Sequence, residues 1–235
     1  MEAEVILNTR KLDIGYGNTC IAKNLMLSLY AGEMVCLIGP NGCGKSTLIR
    51  TLVGLQDALG GKIEIKNKKL NKISLSEKSK LISWVLTDTM PTGSLKVSEI
   101  VEMGRFPYTN WFGKLSEKDK NIIDNAINAV HLSHKKDYRY NSLSDGEKQR
   151  TMIAKALAQD TPIIFLDEPT SHLDLPNTIE IMQLLRELAQ KTKKAILLST
   201  HELELTLQVA DKIWMMTSGK LKTGLPEDLI LSGDL

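Results

Sequence analysis

No long hydrophobic run occurs anywhere in the 235 residues of this chain. Its longest apolar stretches, Met34–Ile38, Ile163–Leu166 and Ala195–Leu198, fall far short of the roughly 18 residues needed to cross a bilayer. A membrane-spanning helix is therefore not expected. Cysteine is scarce as well. Cys20, Cys36 and Cys43 form an odd, unpatterned set, which argues against a disulfide framework and suits reduced thiols. Charge of one sign is also missing, since 30 Lys and Arg against 28 Asp and Glu leave a net +2. No polyanion-binding surface follows from that balance, so nucleic acid is not an expected partner. The lysine-rich segment Lys66–Lys72 reads as a solvated hairpin edge. The opening Met1-Glu2-Ala3-Glu4 is acidic and lacks a signal-peptide pattern, so the expected compartment is the cytoplasm. There is no repeat and no low-complexity linker. What remains is an ordinary globular composition, 42% hydrophobic and 25% charged, long enough for one substantial core or two joined lobes.

The texture along the chain changes twice. Residues 3–32 alternate, with Val5, Leu7, Leu12, Ile14, Leu25, Leu27 and Leu29 spaced by polar positions around a Gly15-Tyr16-Gly17-Asn18 turn, which predicts antiparallel strands. A further short strand is expected at Lys62–Lys66. From about residue 94 the pattern turns helical, over Val97–Met103, Glu117–Val130 and Asp145–Gln159, with Arg105–Leu115 irregular. Strands then alternate with helices: Ile163–Leu166, Pro176–Gln190, Ala195–Ser199, Glu202–Ala210 and Ile213–Met216. Such alternation predicts a largely parallel sheet with crossover helices.

The run Gly39-Pro40-Asn41-Gly42-Cys43-Gly44-Lys45-Ser46-Thr47 fits G-x-x-x-x-G-K-[ST], the phosphate-binding loop of nucleotide hydrolases. It lies between an apolar strand, Met34–Ile38, and residues Leu48, Ile49, Leu52 and Val53 at helical spacing, the context the motif requires. Its glycines let successive N–H groups converge on one anion, and the helix N-terminus adds partial positive charge. Lys45 can reach the β- and γ-phosphates, and Ser46 can place its hydroxyl on Mg²⁺. The chain is expected to bind a nucleoside triphosphate.

Two more segments refine the chemistry. Ile163-Ile164-Phe165-Leu166 is a buried strand that ends in Asp167-Glu168, where a parallel sheet opens onto its ligand crevice. Asp167 is placed to hold Mg²⁺, and Glu168 to polarise the water that attacks the γ-phosphate. In Leu143-Ser144-Asp145-Gly146-Glu147-Lys148-Gln149-Arg150, Ser144 and Glu147 make a capping box for the helix that follows. Gly146 inside its first turn costs about 1 kcal/mol relative to alanine, which points to a close approach there. The Ser144 hydroxyl, the Gly146 N–H and the helix dipole together suit a second phosphate contact. One chain already has a phosphate loop, so this contact is expected to serve a nucleotide held by a second copy.

With these motifs in this order, nearly the whole chain resembles the ATP-binding-cassette (ABC) family. Leu143–Glu147 is similar to the family signature L-S-G-G-Q. Thr170-Ser171-His172-Leu173-Asp174 resembles the D-loop that touches the opposite subunit, and Ser199-Thr200-His201-Glu202 the switch-histidine segment. The resemblance implies that His201 contacts the γ-phosphate and that Tyr16 stacks on adenine. It further implies a P-loop α/β core (1–87 and 160–235) with an N-terminal antiparallel β subdomain and a helical insertion at about 88–159. ATP and Mg²⁺ are the implied cofactors, and the implied mechanism is a head-to-tail dimer that sandwiches two ATPs.

Val97-Ser98-Glu99-Ile100-Val101, Gly104-Arg105-Phe106-Pro107-Tyr108 and His201–Leu205 look like segments of importers of ferric siderophores, haem and cobalamin. In that group the ATPase is a separate chain, docked on the cytoplasmic face of a polytopic permease and served indirectly by a substrate-binding protein. Region 88–115, with Arg105, Phe106 and Tyr108, is the implied permease contact. A soluble scaffold of the kind used in iron–sulfur cluster assembly is the alternative. A DNA-repair or ribosome-associated role is disfavoured by the single cassette and the near-neutral charge.

One position departs from the family. After Leu81–Leu86 the family places a glutamine that contacts Mg²⁺ and the catalytic water, whereas this chain has Thr87-Asp88. We hypothesise that Asp88, or Thr87 through a bridging water, takes part of that role, because these are the oxygens supplied there. Asp88→Ala and Thr87→Val are then expected to shift the Mg²⁺ dependence of hydrolysis; an unchanged dependence in both variants removes the idea.

Overall fold

The computed structural model describes residues 4–17, 19–86, 94–110, 113–217 and 219–233. Strands β1 (Val5–Tyr16), β2 (Thr19–Leu25) and β3 (Ser28–Tyr30) open the chain, with β1 pairing antiparallel to both of its neighbours. Strand β4 (Met34–Ile38) leads through the glycine-rich loop into helix α1 (Lys45–Val53). Strands β5 (Gly60–Ile65) and β6 (Lys68–Lys69) form a hairpin that completes the antiparallel sheet in the order β2-β1-β5-β6, with β3 also on β1. Lys68 and Lys69 sit on its outer edge, as expected of a lysine-rich hairpin. The strand expected at Lys62–Lys66 starts earlier and stops at Ile65, because Lys66 and Asn67 take positive φ in the turn.

After the short helix α2 (Leu75–Lys78), strand β7 (Ile82–Val85) enters the second sheet. Helices α3 (Val97–Glu102), α4 (Glu117–Ala129) and α5 (Asp145–Ala158) follow, each within one or two residues of its expected bounds. The start of the region read as irregular is a 3-10 turn through Met103–Tyr108. Strand β8 (Ile163–Leu166), helix α6 (Leu175–Thr192), strand β9 (Ala195–Ser199), helix α7 (Leu203–Val209) and strand β10 (Lys212–Thr217) then alternate. Strand β11 (Lys220–Gly224) and helix α8 (Pro226–Leu231), which sequence reasoning missed, close the described chain. The second sheet runs β11-β10-β4-β9-β8-β7, parallel throughout except for the β10–β11 pair.

Both faces of this sheet are buried, which is why its strands read as unbroken apolar runs. Met34, Cys36, Ile164, Leu166, Ile196 and Leu198 pack toward α3–α6. Their alternates Val35, Leu37, Ile163, Phe165 and Leu197 pack with α1 and the antiparallel sheet.

The helical insertion has an internal anchor. Arg105, only 5% exposed, donates from Nε to Asp119 Oδ1 at 2.9 Å and from Nη1 to the Ala158 carbonyl at 2.8 Å. Its guanidinium also lies 4.0 Å from the Tyr108 ring centroid. This corrects the expectation that Arg105 meets a permease, since a buried, paired guanidinium is structural. Phe106, 63% exposed, and Tyr108, 37% exposed, remain on the surface. The Ser116 hydroxyl and N–H, aided by Arg105, hold the Asp119 carboxyl below its ordinary range. The stabilisation from that depressed value is fully present above the ordinary carboxylate range and is lost as pH falls from there through the depressed value. Arg105→Ala leaves Asp119 without its countercharge and is expected to cost about 3–5 kcal/mol in a urea unfolding experiment.

Candidate active site

Strand β4 ends at Ile38 and the chain turns at once into the phosphate loop. Gly39 has φ +153°, and a Cβ there would lie 2.1 Å from the Met216 carbonyl oxygen, so only glycine lets the loop leave the sheet beside β10. Gly44 is the N-cap of α1 and no side chain caps that helix, which leaves its first-turn N–H groups to an anion. Lys45 is buried and folded back, donating to the Gly39 carbonyl at 2.9 Å and the Pro40 carbonyl at 3.3 Å. Those carbonyls hold its ammonium at the mouth of the loop.

A cleft of roughly 320 Å³ opens beside the loop, lined by Tyr16, Ile21, Asn41, Gly42, Lys45 and Glu168 among others. Tyr16 is half exposed at the end of β1, and its hydroxyl accepts from Thr47 Oγ1 at 3.1 Å. The Gln56 side chain bonds the neighbouring Gly15 carbonyl, steadying the turn that presents the ring. Pro40 and Cys43 lie in the same loop, and Cys43 packs partly against the core beneath it.

Asp167 and Glu168 follow the end of β8, and the Asp167 N–H donates to the Val85 carbonyl at 3.0 Å. Ser46 Oγ donates to Asp167 Oδ1 at 3.4 Å, so the P-loop hydroxyl and the first acid face one another. Two hard oxygen donors in that relation fit a hydrated divalent cation such as Mg²⁺, which is usually held by one or two protein groups plus substrate phosphate. No group of three or more His, Cys, Asp or Glu among the described residues makes a metal site of protein ligands alone. Glu168 sits in the left-handed region at φ 46°. Its Oε1 lies 2.8 Å from His201 Nε2, just beyond the end of β9. Sequence reasoning named Ser199 only as part of the switch segment and gave it no role; its hydroxyl donates to Asp167 Oδ1 at 2.7 Å and accepts the Glu168 N–H at 2.8 Å. The available signal was a hydroxyl closing an otherwise apolar buried strand.

The signature segment forms the capping box its sequence predicts. Ser144 Oγ accepts the Glu147 N–H at 3.3 Å, and Glu147 Oε2 accepts the Ser144 N–H at 3.1 Å. Glu147 Oε1 also pairs with Lys135 Nζ at 2.5 Å, and Asp145 with Lys148 at 3.0 Å. Burial raises the Glu147 pKa, but Lys135 and the Ser144 N–H outweigh it and hold the carboxyl below its ordinary value. A Cβ on Gly146 would meet Asn177 Oδ1 at 2.5 Å, so within this chain the glycine admits the start of α6. Asn177 in turn donates to Asp174, the N-cap of α6, at the end of the segment that resembles the D-loop. Ser144, Gly146 and Glu147 do not line the cleft beside the phosphate loop. Thr87 and Asp88 lie outside the described residues.

The chain is similar to several known proteins. The family profile described as ABC transporter matches residues 22–171. An uncharacterized ABC transporter ATP-binding protein of Methanocaldococcus jannaschii is 38% identical over 226 residues, covering 96% of this chain and 78% of that protein. A probable siderophore transport system ATP-binding protein of Bacillus subtilis is 36% identical over 225 residues, covering 95% of this chain and 82% of that protein. Among solved structures, a putative metal-chelate type ABC transporter in an inward-facing conformation superposes with a TM-score of 0.85 at 30% identity, covering 97% of this chain and 86% of that one.

The cysteines offer a direct probe of the cleft. Cys36 is fully buried in β4, and burial pushes its thiol up to about 12, so it stays unreactive near neutrality. Iodoacetamide is expected to label Cys43 and not Cys36, with Mg-ATP protecting Cys43. Equal peptide-level labelling of Cys43 with and without nucleotide counts against a triphosphate in this loop.

Proposed function

This chain belongs to the ABC transporter family, and we propose that it is the ATP-hydrolysing subunit of an importer whose membrane-spanning permease is a separate chain. One observation carries the hydrolytic reading. The phosphate loop, the Asp167-Glu168 pair and His201 all leave the carboxyl ends of β4, β8 and β9, three neighbouring parallel strands. Parallel α/β sheets bind their ligands in the crevice at that edge.

In this reading ATP enters the cleft with its adenine on Tyr16. Its triphosphate lies against the backbone N–H groups of residues 39–47 and the free N-terminus of α1. Lys45 exchanges the Gly39 and Pro40 carbonyls for the β- and γ-phosphates. Ser46 and Asp167 would hold Mg²⁺, which when bound offsets phosphate charge as the β–γ bond breaks. Glu168 accepts the proton of the attacking water, and His201 moves from Glu168 to the γ-phosphate. Ser144, Gly146 and Glu147 of a second copy complete the site from the opposite side. Two carboxylates at that helix end would repel a triphosphate, but Lys135 and Lys148 offset them in place. ATP binding favours the closed dimer and hydrolysis the open one. The permease is driven between its states by that difference in affinity.

Phe106 and Tyr108 present the apolar surface suited to a permease helix on the cytoplasmic side of the membrane. No helix among the described residues is long and apolar enough to cross a membrane. In this reading the translocation path belongs to the permease. Relatives named for siderophore, petrobactin, iron-hydroxamate and enterobactin transport support an iron chelate as cargo, and one named for cobalamin import supports cobalamin as the other candidate. A substrate-binding protein would deliver that cargo to the permease.

Glu168→Gln is expected to bind ATP, dimerise and hydrolyse poorly. Expressed with a tag in its native cell and solubilised with Mg-ATP, it should bring down a multi-span membrane protein. Recovery of soluble partners only, from a variant shown to dimerise with ATP, would move the assignment to an assembly scaffold.

A further inference from the structure

The end of β9 carries a hydroxyl that the mechanism above does not use. Ser199 is 0% exposed and lies between the two acids that follow β8. Its Oγ has one proton to give and lone pairs to receive, and both capacities are spent on the site. It donates to Asp167 Oδ1 at 2.7 Å and accepts the Glu168 N–H at 2.8 Å. The second contact falls on a strained residue, since Glu168 holds φ 46° although it is not glycine. A left-handed non-glycine residue is strained and persists only where its surroundings over-determine it. The same turn aims the Glu168 carboxylate at His201, two residues beyond Ser199 on the same segment.

We propose that Ser199 is a positioning residue for hydrolysis: its hydroxyl pins the backbone of Glu168 in the left-handed turn and fixes the Asp167 carboxylate toward Ser46. The general base and the metal-facing acid thereby share one tether on the strand that carries the switch histidine. The inference rests on the reading of Glu168 as general base. It concerns when that carboxylate points correctly; the Ser199 hydroxyl bonds neither the phosphate loop nor Tyr16 directly, and Asp167 keeps its bond from Ser46 without it. Loss of the hydroxyl therefore lowers kcat and leaves nucleotide binding in place.

Ser199→Ala removes one oxygen from a closed site and is the variant to measure in the purified full-length chain, beside Ser199→Thr, which keeps the hydroxyl. In the nucleotide-free protein, amide exchange at Glu168 should quicken about 10-fold in Ser199→Ala, as loss of one hydrogen bond predicts. With Mg-ATP, kcat should fall between about 10- and 100-fold, the scale of a misplaced catalytic group. ATP affinity should stay within about 2-fold, since only the chemical step is affected. Ser199→Thr should restore most of kcat and the slow exchange. Unchanged exchange and kcat in Ser199→Ala would overturn the proposal, and so would a fall in kcat matched by equal losses in ATP affinity and thermal stability. Absence of any hydrolysis by the unmutated protein would overturn the underlying reading of Glu168, a distinct result.

Discussion

Parallel pairing of β4, β9 and β8, with both faces of the sheet sealed by apolar side chains, is the constraint on which the site depends. Cys36 pairs with Leu198 and Leu37 with Ser199, while Leu166 pairs with Leu198 on the other side. Because these strands are buried to their last residues, polar chemistry can begin only where they end. The register brings the three ends level. The phosphate loop, the acid pair and the switch segment therefore emerge side by side without any long loop to gather them. A one-residue slip in one of these pairings would carry polar residues into the apolar layers and withdraw Asp167 from Ser46. The apolar interior thus holds the geometry of the charged groups, and hydrogen bonds at the strand ends refine it.

At that edge each charged group is partly satisfied by partners within the chain. Lys45 rests on two loop carbonyls, Glu168 meets His201, and Asp167 takes bonds from Ser46 and Ser199. These contacts explain how a buried lysine and a strained glutamate are tolerated. They are also exchangeable, because a triphosphate offers oxygens where the Gly39 and Pro40 carbonyls stand. Binding then replaces one set of partners by another and avoids the cost of stripping bare charges.

The features legible in the sequence were those whose physics is local. Glycines before a lysine, an apolar strand ending in two acids, and a serine three residues before a glutamate each depend on neighbours within a few positions. Strand and helix bounds were recovered to within a residue or two for the same reason. Contacts between distant segments stayed hidden. Nothing local marks Ser199 as the partner of residues 31 and 32 positions earlier, or Lys135 as the countercharge of Glu147 from another turn. Arg105 misled because it stands beside the exposed Phe106 and Tyr108, while its own side chain turns inward to Asp119 and Ala158. Strand β11 and helix α8 were missed because Lys220–Gly224 alternates weakly and the helix is short.

The inward turn of Arg105 bears on how the two ends of the helical insertion relate. Its guanidinium grips the last residue of α5, and Gly104 lies so close to that helix that a Cβ would meet the Lys155 carbonyl at 2.3 Å. The exposed pair Phe106 and Tyr108 is therefore fastened to the C-terminal end of α5, while Ser144 caps its N-terminal end. At 1.5 Å per residue, the 14 residues between span about 21 Å of continuous helix. The helix is unbroken along that length and packs against α3, α4 and α6. That continuity gives a displacement at the Phe106–Tyr108 surface a direct structural route to the Ser144 cap. The Arg105–Asp119 pair fixes the guanidinium in place for its bond to the Ala158 carbonyl, and so fastens this surface to the end of α5, which gives a physical reason for a costly buried charge.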